Sequence, residues 1–143
     1  MTAEDGVRAA STDFYAALNR MLNGDARSLG DVWSHSATVT TMHPIGGRDV
    51  GWDQVGKSWE QVAQISTNGA VTLSDQFIQV IGDAAYELGV EHGKFTLAGE
   101  PVTGECRVTN IYRREGGAWK MIHHHTDVAP AMVDVVSKLG AKT

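Results

Sequence analysis

The chain has 143 residues, 42% of them hydrophobic and 20% charged, a composition typical of a globular protein. Its net charge of −5 and scattered Lys and Arg residues argue against nucleic-acid binding, and no apolar stretch approaches the ~20 residues needed to span a membrane. The single cysteine, Cys106, excludes an intramolecular disulfide, and the acidic N-terminus lacks the features of a signal peptide. We therefore expect one soluble cytoplasmic domain over residues 1–143.

Three helices are predicted in the first half of the chain. The first covers residues 3–22, where apolar side chains recur at helical spacing and Asn23-Gly24 ends the run. Its apolar positions are Val7, Ala10, Phe14, Ala17, Leu18 and Met21. Asp25 is a suitable N-cap for a short second helix that ends near residues 34–35. The third helix is predicted over residues 52–65.

Strands are predicted between the second and third helices and throughout the second half. Residues 37–43 are rich in β-branched side chains, and Pro44 ends that run. Four long strands then follow, separated by Gly-rich turns. Their predicted ranges are 71–80, 85–97, 102–114 and 119–127, and a last short helix is predicted over 131–139. Helices followed by a strand meander indicate an α+β domain with the helices on one face of the sheet.

The sequence His123-His124-His125 lies on the predicted last strand. Because side chains alternate along a strand, His123 and His125 share one face and His124 points to the other. Two imidazoles on one face could form a proton-transfer pair, an oxyanion clamp or part of a metal site. They could equally be structural residues at a sheet edge or dimer interface, and His124 is expected on a solvated or interface face.

The order of the predicted elements resembles the nuclear transport factor 2-like superfamily, and several stretches are similar to its SnoaL-like branch. These stretches are Phe14–Asn19 with Asn23-Gly24-Asp25, Ala37–Thr41 before Pro44, Gly51–Val55, Arg107–Arg114, and Gly117-Ala118-Trp119 with His123-x-His125. The superfamily includes ketosteroid isomerase, scytalone dehydratase, limonene epoxide hydrolase and the SnoaL-type polyketide cyclases. The resemblance covers nearly the whole chain, but the fold alone does not specify a reaction.

This resemblance implies a cystatin-like α+β barrel, in which a cone-shaped curved antiparallel sheet wraps around the N-terminal helices. It also implies an apolar pocket at the open end and a homodimer formed through the back of the sheet. The usual strand order of the superfamily places the last strand beside the first, which would bring His43 close to His123 and His125.

Comparison with ketosteroid isomerases suggests a role for His43. Those enzymes carry Asp-Pro at the end of the first strand, where the Asp is the base, and this chain has His43-Pro44 there. Imidazole has an ordinary pKa of ~6.5 and can act as a base or an acid near neutrality. The oxyanion-binding Tyr of the isomerases corresponds to Phe14, with Tyr15 expected to point elsewhere. Their partner acid on the third long strand has no counterpart here.

We therefore predict a cofactor-independent acid/base enzyme of the isomerase, cyclase or dehydratase type. Its ligand would be a small apolar or polycyclic carbonyl compound. The predicted catalytic residues are His43, His123 and His125. The predicted substrate contacts are Tyr15, Trp33, Trp59, Arg107 and Thr109.

Several alternatives stay open at this stage. Arg107 and Glu91 lie on adjacent predicted strands and could simply form a cross-strand ion pair. The tryptophans could be core residues. The chain could be a non-catalytic ligand-binding or dimerisation module with structural histidines. It could also be a metal-dependent enzyme, in which Asp127 or Glu91 supplies a carboxylate beside the histidines. A related alternative is a hydration enzyme, because the run His123-His124-His125 followed by Thr126 resembles the last strand of the iota-type carbonic anhydrases.

Overall fold

Residues 2–141, which the computed structural model describes, form four helices and six strands. The helices are α1 (Ala3–Met21), α2 (Leu29–Val32), α3 (Trp52–Gln64) and α4 (Pro130–Ala141). The strands are β1 (Thr40–Met42), β2 (Asp49–Val50), β3 (Ser66–Ile81), β4 (Ala84–Leu97), β5 (Glu100–Glu115) and β6 (Ala118–Thr126). None of the described helices is long and apolar enough to cross a membrane.

The strands form a curved, unclosed sheet in the order β2-β1-β6-β5-β4-β3. The last strand lies beside the first, and the predicted α+β architecture is confirmed. Neighbouring strands are antiparallel except for β1 and β6, which run parallel with Thr41 opposite His124. Two irregularities in β3, at Asn68 and Asp75, have positive φ values of 52° and 54°, and such bulges bend a strand.

Helix α1 packs its apolar face against the inner face of the sheet. Thr2 begins the helix as a capping box: its hydroxyl accepts from the N–H of Asp5, whose carboxylate accepts from the N–H of Thr2. The predicted apolar positions Val7, Phe14 and Met21 are all buried. Removing such side chains from water stabilises the fold by roughly 1.5–3 kcal/mol each. Helix α3 adds Val55, Trp59 and Ala63 to the same core.

Three elements differ from the sequence prediction by more than two residues at one end. Helix α2 is shorter because Arg27 holds the carboxylate of Asp25, so Asp25 does not cap a helix. Strand β1 is shorter because the residues before it turn to accept hydrogen bonds from the first residues of α3. Strand β3 begins at Ser66 rather than Val71, since its polar start pairs with the end of β4.

Candidate functional site

A cavity of about 240 Å³ lies between the inner face of the sheet and helices α1, α3 and α4. Most of its wall is apolar and comes from α1, α3, the long strands and the residues that lead into α4. The apolar side chains include Leu18, Met21, Ile45, Trp59, Val62, Val71, Phe95, Val102, Val128 and Met132. The N–H of Ala129 donates to the carbonyl of Pro44 at 2.9 Å, which ties the start of α4 to the end of β1. Five ionisable side chains interrupt this apolar wall: His43, Glu91, Glu105, Cys106 and His124.

A β-bulge in β6 decides which histidines face the cavity. Ile111 of β5 pairs with His123 and the next residue, Tyr112, pairs with Met121, so Ile122 has no partner on β5. Such an extra residue reverses the phase of side-chain alternation. Met121 and His124 therefore both point inward, and His124 is only 2% exposed. The expectation that His124 lies on a solvated or interface face is wrong.

His123 and His125 lie on the outer face of the sheet, away from the cavity. Nδ1 of His123 is 2.6 Å from the hydroxyl of Thr40, and the His123 and His125 rings are 5.5 Å apart. Thr109 lies opposite His125, and Arg107 lies nearby along the same shallow outer groove. The predicted convergence of His43 with His123 and His125 is therefore wrong; His43 is instead 6.4 Å from His124, measured between ring centroids.

His43 follows β1 and is almost completely buried. Its ring meets Trp59 edge to face, with centroids 4.5 Å apart and planes 77° apart. Its Nε2 has no hydrogen-bond partner among residues 2–141. Burial lowers the pKa of His43 to about 4, although Asp49 acts in the opposite direction. The ring is therefore uncharged at neutral pH.

Glu91 projects from the middle of β4 into the cavity wall. The hydroxyl of Tyr15 on α1 donates to its Oε2 at 2.8 Å. Burial is the main cause that raises the pKa of Glu91, to about 7; the Tyr15 hydrogen bond opposes the increase and the charge of Glu87 adds to it. The predicted ion pair with Arg107 is wrong, because Arg107 lies opposite Val90 on the outer face and its guanidinium binds Asp127 at 2.8 Å. Glu91 is thus a buried carboxyl group without a cationic partner in the described chain.

Asn110 on β5 links His124 to Glu91 through a chain of buried hydrogen bonds. Its Nδ2 donates to the Tyr15 hydroxyl at 3.1 Å and to Glu87 at 3.0 Å, so its Oδ1 is the acceptor for Nδ1 of His124 at 2.7 Å. Nδ1 of His124 therefore carries the proton, and Nε2 is left as an acceptor. Burial, together with the neighbouring histidines, holds the pKa of His124 well below its ordinary value.

Glu87 is a second carboxylate in this network of hydrogen bonds. Glu87 accepts hydrogen bonds from Tyr112 at 2.7 Å and from Gln76 at 2.6 Å, in addition to the one from Asn110. A buried polar network with all its members paired holds its side chains in fixed positions. Glu87 therefore supports the cavity groups and does not itself line the cavity.

The sequence signature of the SnoaL-like domain matches residues 7–131. The chain belongs to the SnoaL-like domain family. No protein with a curated description is significantly similar to it in sequence.

Solved structures show the same architecture for this SnoaL-like chain. A proposed dehydratase of the nuclear transport factor 2-like family from Streptomyces avermitilis is 25% identical, with a TM-score of 0.77, 87% of this chain covered and 94% of that one. A nuclear transport factor 2-like superfamily protein from Salmonella enterica serovar Typhimurium is 17% identical, with a TM-score of 0.74 and coverages of 86% and 89%. The S. rosetta CaMKII hub is 19% identical, with a TM-score of 0.70 and coverages of 87% and 95%. The last two similarities concern the fold alone.

The other predicted contact residues are divided between the cavity and its surroundings. Trp59 lines the cavity of this SnoaL-like domain. Trp33 does not; it is buried against Trp52 and Trp59, with ring centroids 6.3 Å from each. Tyr15 points inward and lies behind Glu91, which corrects the expectation that it points elsewhere. Arg107 and Thr109, on the outer face, do not reach the cavity.

The pattern of strand β4 contains a signal that Glu91 is buried. Ala85, Phe95 and Leu97 occupy one face of the predicted strand 85–97 and are buried. Glu87 and Glu91 fall on that same face by alternation. Two acids on the apolar face of a strand indicate a buried polar site. No comparable signal marks His124, whose orientation depends on the bulge.

The metal-site alternative requires His43, His123 and His125 to approach one point. The structure places His43 on the inner face of the sheet and the other two on the outer face. Within residues 2–141 there is no group of three His, Cys, Asp or Glu side chains arranged to hold a metal ion. The proposed ligand set therefore does not fit.

Proposed function

We propose that this SnoaL-like domain is an acid/base enzyme that removes a proton from carbon next to the carbonyl group of a small apolar compound. The observation that carries the proposal is Glu91, a buried carboxyl group in the cavity wall whose pKa is raised to about 7. A general base works best when its pKa lies near the operating pH, and enzymes reach that value for Glu by burial.

Glu91 is the proton acceptor in this proposal. The Tyr15 hydroxyl occupies its Oε2 and fixes the orientation of the carboxylate. No other hydrogen bond from a described residue reaches the carboxylate, so Oε1 is free to approach a ligand. After it takes the proton, the same group can return it to a different carbon or to a departing hydroxyl group. Isomerisation, aldol-type cyclisation and dehydration all begin with this step.

His43 is the group that would stabilise the negative charge on the carbonyl oxygen. A neutral imidazole keeps one N–H, and the low pKa of His43 keeps the ring neutral at pH 7. Preorganised donors aimed at a developing oxyanion are worth several kcal/mol in a water-poor site. The Nε2 atom has no hydrogen-bond partner among the described residues, so it is not already committed to another group.

His124 would accept a hydrogen bond from a ligand hydroxyl group through Nε2. Asn110 fixes its tautomer, so the acceptor is available without rearrangement. A hydroxyl group near a carbonyl is the substrate pattern for dehydration. Similarity to the proposed dehydratase from Streptomyces avermitilis favours that reaction within the class.

Hydrogen–deuterium exchange at carbon tests the proposal without knowledge of the natural substrate. Small ketones such as cyclohexanone and acetophenone are incubated with the protein in deuterated water, and exchange next to the carbonyl is followed by NMR. We expect the protein to accelerate exchange, and Glu91→Gln to reduce the acceleration by about 10²-fold or more. Glu60→Gln, on the exposed face of α3, is the matched control and should leave it unchanged.

A histidine pair provides a second matched comparison. His124→Ala should lower the exchange rate, whereas the neighbouring His125→Ala should have no effect because that side chain lies on the other face. If ketones bind but neither the protein nor any variant accelerates exchange, the domain is a binding module and not an enzyme.

We also propose that the chain forms a homodimer through the outer face of the sheet. Phe77 and Leu88 lie opposite each other there and are 52% and 41% exposed. Exposed apolar patches of this kind are common at subunit contacts. Similarity to the S. rosetta CaMKII hub, which shares the fold, is consistent with self-association.

A further inference from the structure

The volume of the cavity and the charges on its wall restrict the compounds it can hold. We propose that it selects compounds with a single ring that are uncharged or cationic, and that it excludes carboxylates and phosphates. This inference rests on the proposed function for its choice of carbonyl ligands, and it concerns binding and not turnover.

The size limit follows from the volume of about 240 Å³. An apolar protein cavity of about 150 Å³ holds one benzene molecule, so this cavity accommodates one ring with a small substituent. Pockets that enclose drug-sized ligands usually have volumes of about 300–1,000 Å³. Compounds of several fused rings, the polycyclic ligands that the family resemblance implies, exceed this volume.

The charge limit follows from the side chains in the wall. The lining residues that the structure describes include Glu91 and Glu105 but neither Lys nor Arg. Glu105 extends outward and binds His92 at 3.1 Å, so Glu91 is the acid that faces the ligand. His43 and His124 are uncharged at neutral pH because burial lowers the pKa of each. A ligand carboxylate would therefore enter a water-poor site with no positive charge to meet it, which is unfavourable.

The titratable groups around Glu91 reinforce this selectivity. They are Glu87 on its own strand, Tyr15 on α1, and Cys106 and Tyr112 on β5. Each of these side chains is either neutral or negative, and none becomes positive. The surrounding elements consequently offer Glu91 no internal counter-charge.

A ligand cation can supply that counter-charge. An ammonium group beside Glu91 would pair with the carboxylate, and the face of Trp59 or Phe95 could contribute a cation–π contact. An uncharged ketone would instead accept a hydrogen bond from protonated Glu91 or from His43. The affinities for amines and ketones should therefore change with pH in opposite directions around the pKa of Glu91.

Isothermal titration calorimetry with three ligands of matched size, acetophenone, 1-phenylethylamine and benzoate, tests this selectivity. The titrations are made at pH 8, where Glu91 is mostly ionised. We expect benzoate to bind at least about tenfold more weakly than the other two. Lowering the pH to 6 should strengthen acetophenone binding and weaken amine binding. A difference of less than tenfold for benzoate would overturn the charge limit.

Two further measurements assign the effect to Glu91 and test the size limit. Glu91→Gln should weaken amine binding and reduce the difference in affinity between benzoate and acetophenone. Glu60→Gln should change neither the amine affinity nor that difference. Unchanged amine affinity in Glu91→Gln would contradict the inference. 2-Acetylnaphthalene should bind more weakly than acetophenone, and equal or tighter binding would overturn the size limit.

These outcomes are independent of those for the proposed function. If the selectivity holds but carbon-bound protons do not exchange, the catalytic proposal fails and the binding inference stands. If exchange depends on Glu91 but benzoate binds as well as acetophenone, the catalytic proposal stands and the inference fails.

Discussion

Asn110 and His124 lie on adjacent strands, with Oδ1 of the amide 2.7 Å from Nδ1 of the imidazole. This contact fixes the tautomer of a buried histidine. The same amide donates to Tyr15 and to Glu87, so one side chain holds the positions of three others. Asn110 is fully buried, and water cannot replace it in the folded state.

Replacement of this residue should therefore be costly. We expect Asn110→Ala to lower the free energy of unfolding by on the order of 3 kcal/mol, since each buried polar group left without a partner costs about 1–3 kcal/mol. Gln79→Ala, an exposed amide on β3, should change stability by less than about 0.5 kcal/mol. Urea denaturation measures both. Equal effects of the two substitutions would mean that the network contributes little to stability.

The pKa of Glu91 predicts a specific dependence of stability on pH. The pKa is raised from an ordinary value of 4.5 to about 7 in the folded state. Between those values the folded state binds a proton that the unfolded state has lost, so the free energy of unfolding falls as the pH rises. The destabilisation is absent below about pH 4.5 and complete above about pH 7. Its size is on the order of 3 kcal/mol.

Glu91→Gln should remove this dependence while an amide oxygen remains available to Tyr15. We expect the free energy of unfolding of the variant to increase relative to that of the unmodified protein as the pH rises from 4.5 to 7. Above pH 7 the difference between the two free energies should stay constant. His43 and His124 weaken the fold at low pH in both proteins, so their contribution cancels in the difference. Denaturation at a series of pH values checks this, and a difference that does not vary with pH would contradict it.

Residue periodicity predicted the helices and the sheet but not the orientation of the histidines. Apolar spacing placed Phe14 and Met21 in the core, and both are buried. Those predictions succeed because burial of apolar area dominates the packing of a helix. The bulge at Ile122 has no comparable signature, since no glycine or proline accompanies it. Alternation from Met121 without the bulge would have placed His123 and His125 inside.

The acids of β4, Glu87 and Glu91, differ from the histidines in this respect. Their shared face follows from strand alternation, but the sequence also allows a cross-strand ion pair between Glu91 and Arg107. In the structure the two residues are not opposite each other: Glu91 lies opposite Cys106, and Arg107 lies opposite Val90. A shift of one residue in register moves a side chain to the other face of a sheet. Sequence alone does not fix that register.

Cysteine labelling tests the orientation of the three histidines directly. In a Cys106→Ala background, His123→Cys, His124→Cys and His125→Cys are made one at a time. We expect the position 125 thiol to react fastest with a small maleimide and the position 124 thiol slowest, by about tenfold or more, because protection follows burial. Fast reaction at position 124 with slow reaction at 123 and 125 would show that β6 continues without a bulge.

The proposed homodimer makes the outer face of the sheet sensitive to charge. Phe77 and Leu88 are cross-strand neighbours, and the Phe77 ring centroid is 6.3 Å from that of Tyr86. A carboxylate placed at either position would be desolvated in a sheet-to-sheet contact. We expect Phe77→Asp and Leu88→Asp to convert a dimer into monomers, with the circular dichroism spectrum unchanged. Light scattering coupled to size-exclusion chromatography measures the mass.

Val50→Asp is the matched control for this face. Val50 is also a partly exposed apolar residue, at 45%, but it lies on β2 at the opposite edge of the sheet from β3. A dimer formed through Phe77 and Leu88 should tolerate a carboxylate at Val50, since that charge stays in water and costs little. If Val50→Asp dissociates the dimer while Phe77→Asp does not, the subunit contact lies at the β2 edge, because desolvation penalises only the charge that the contact buries.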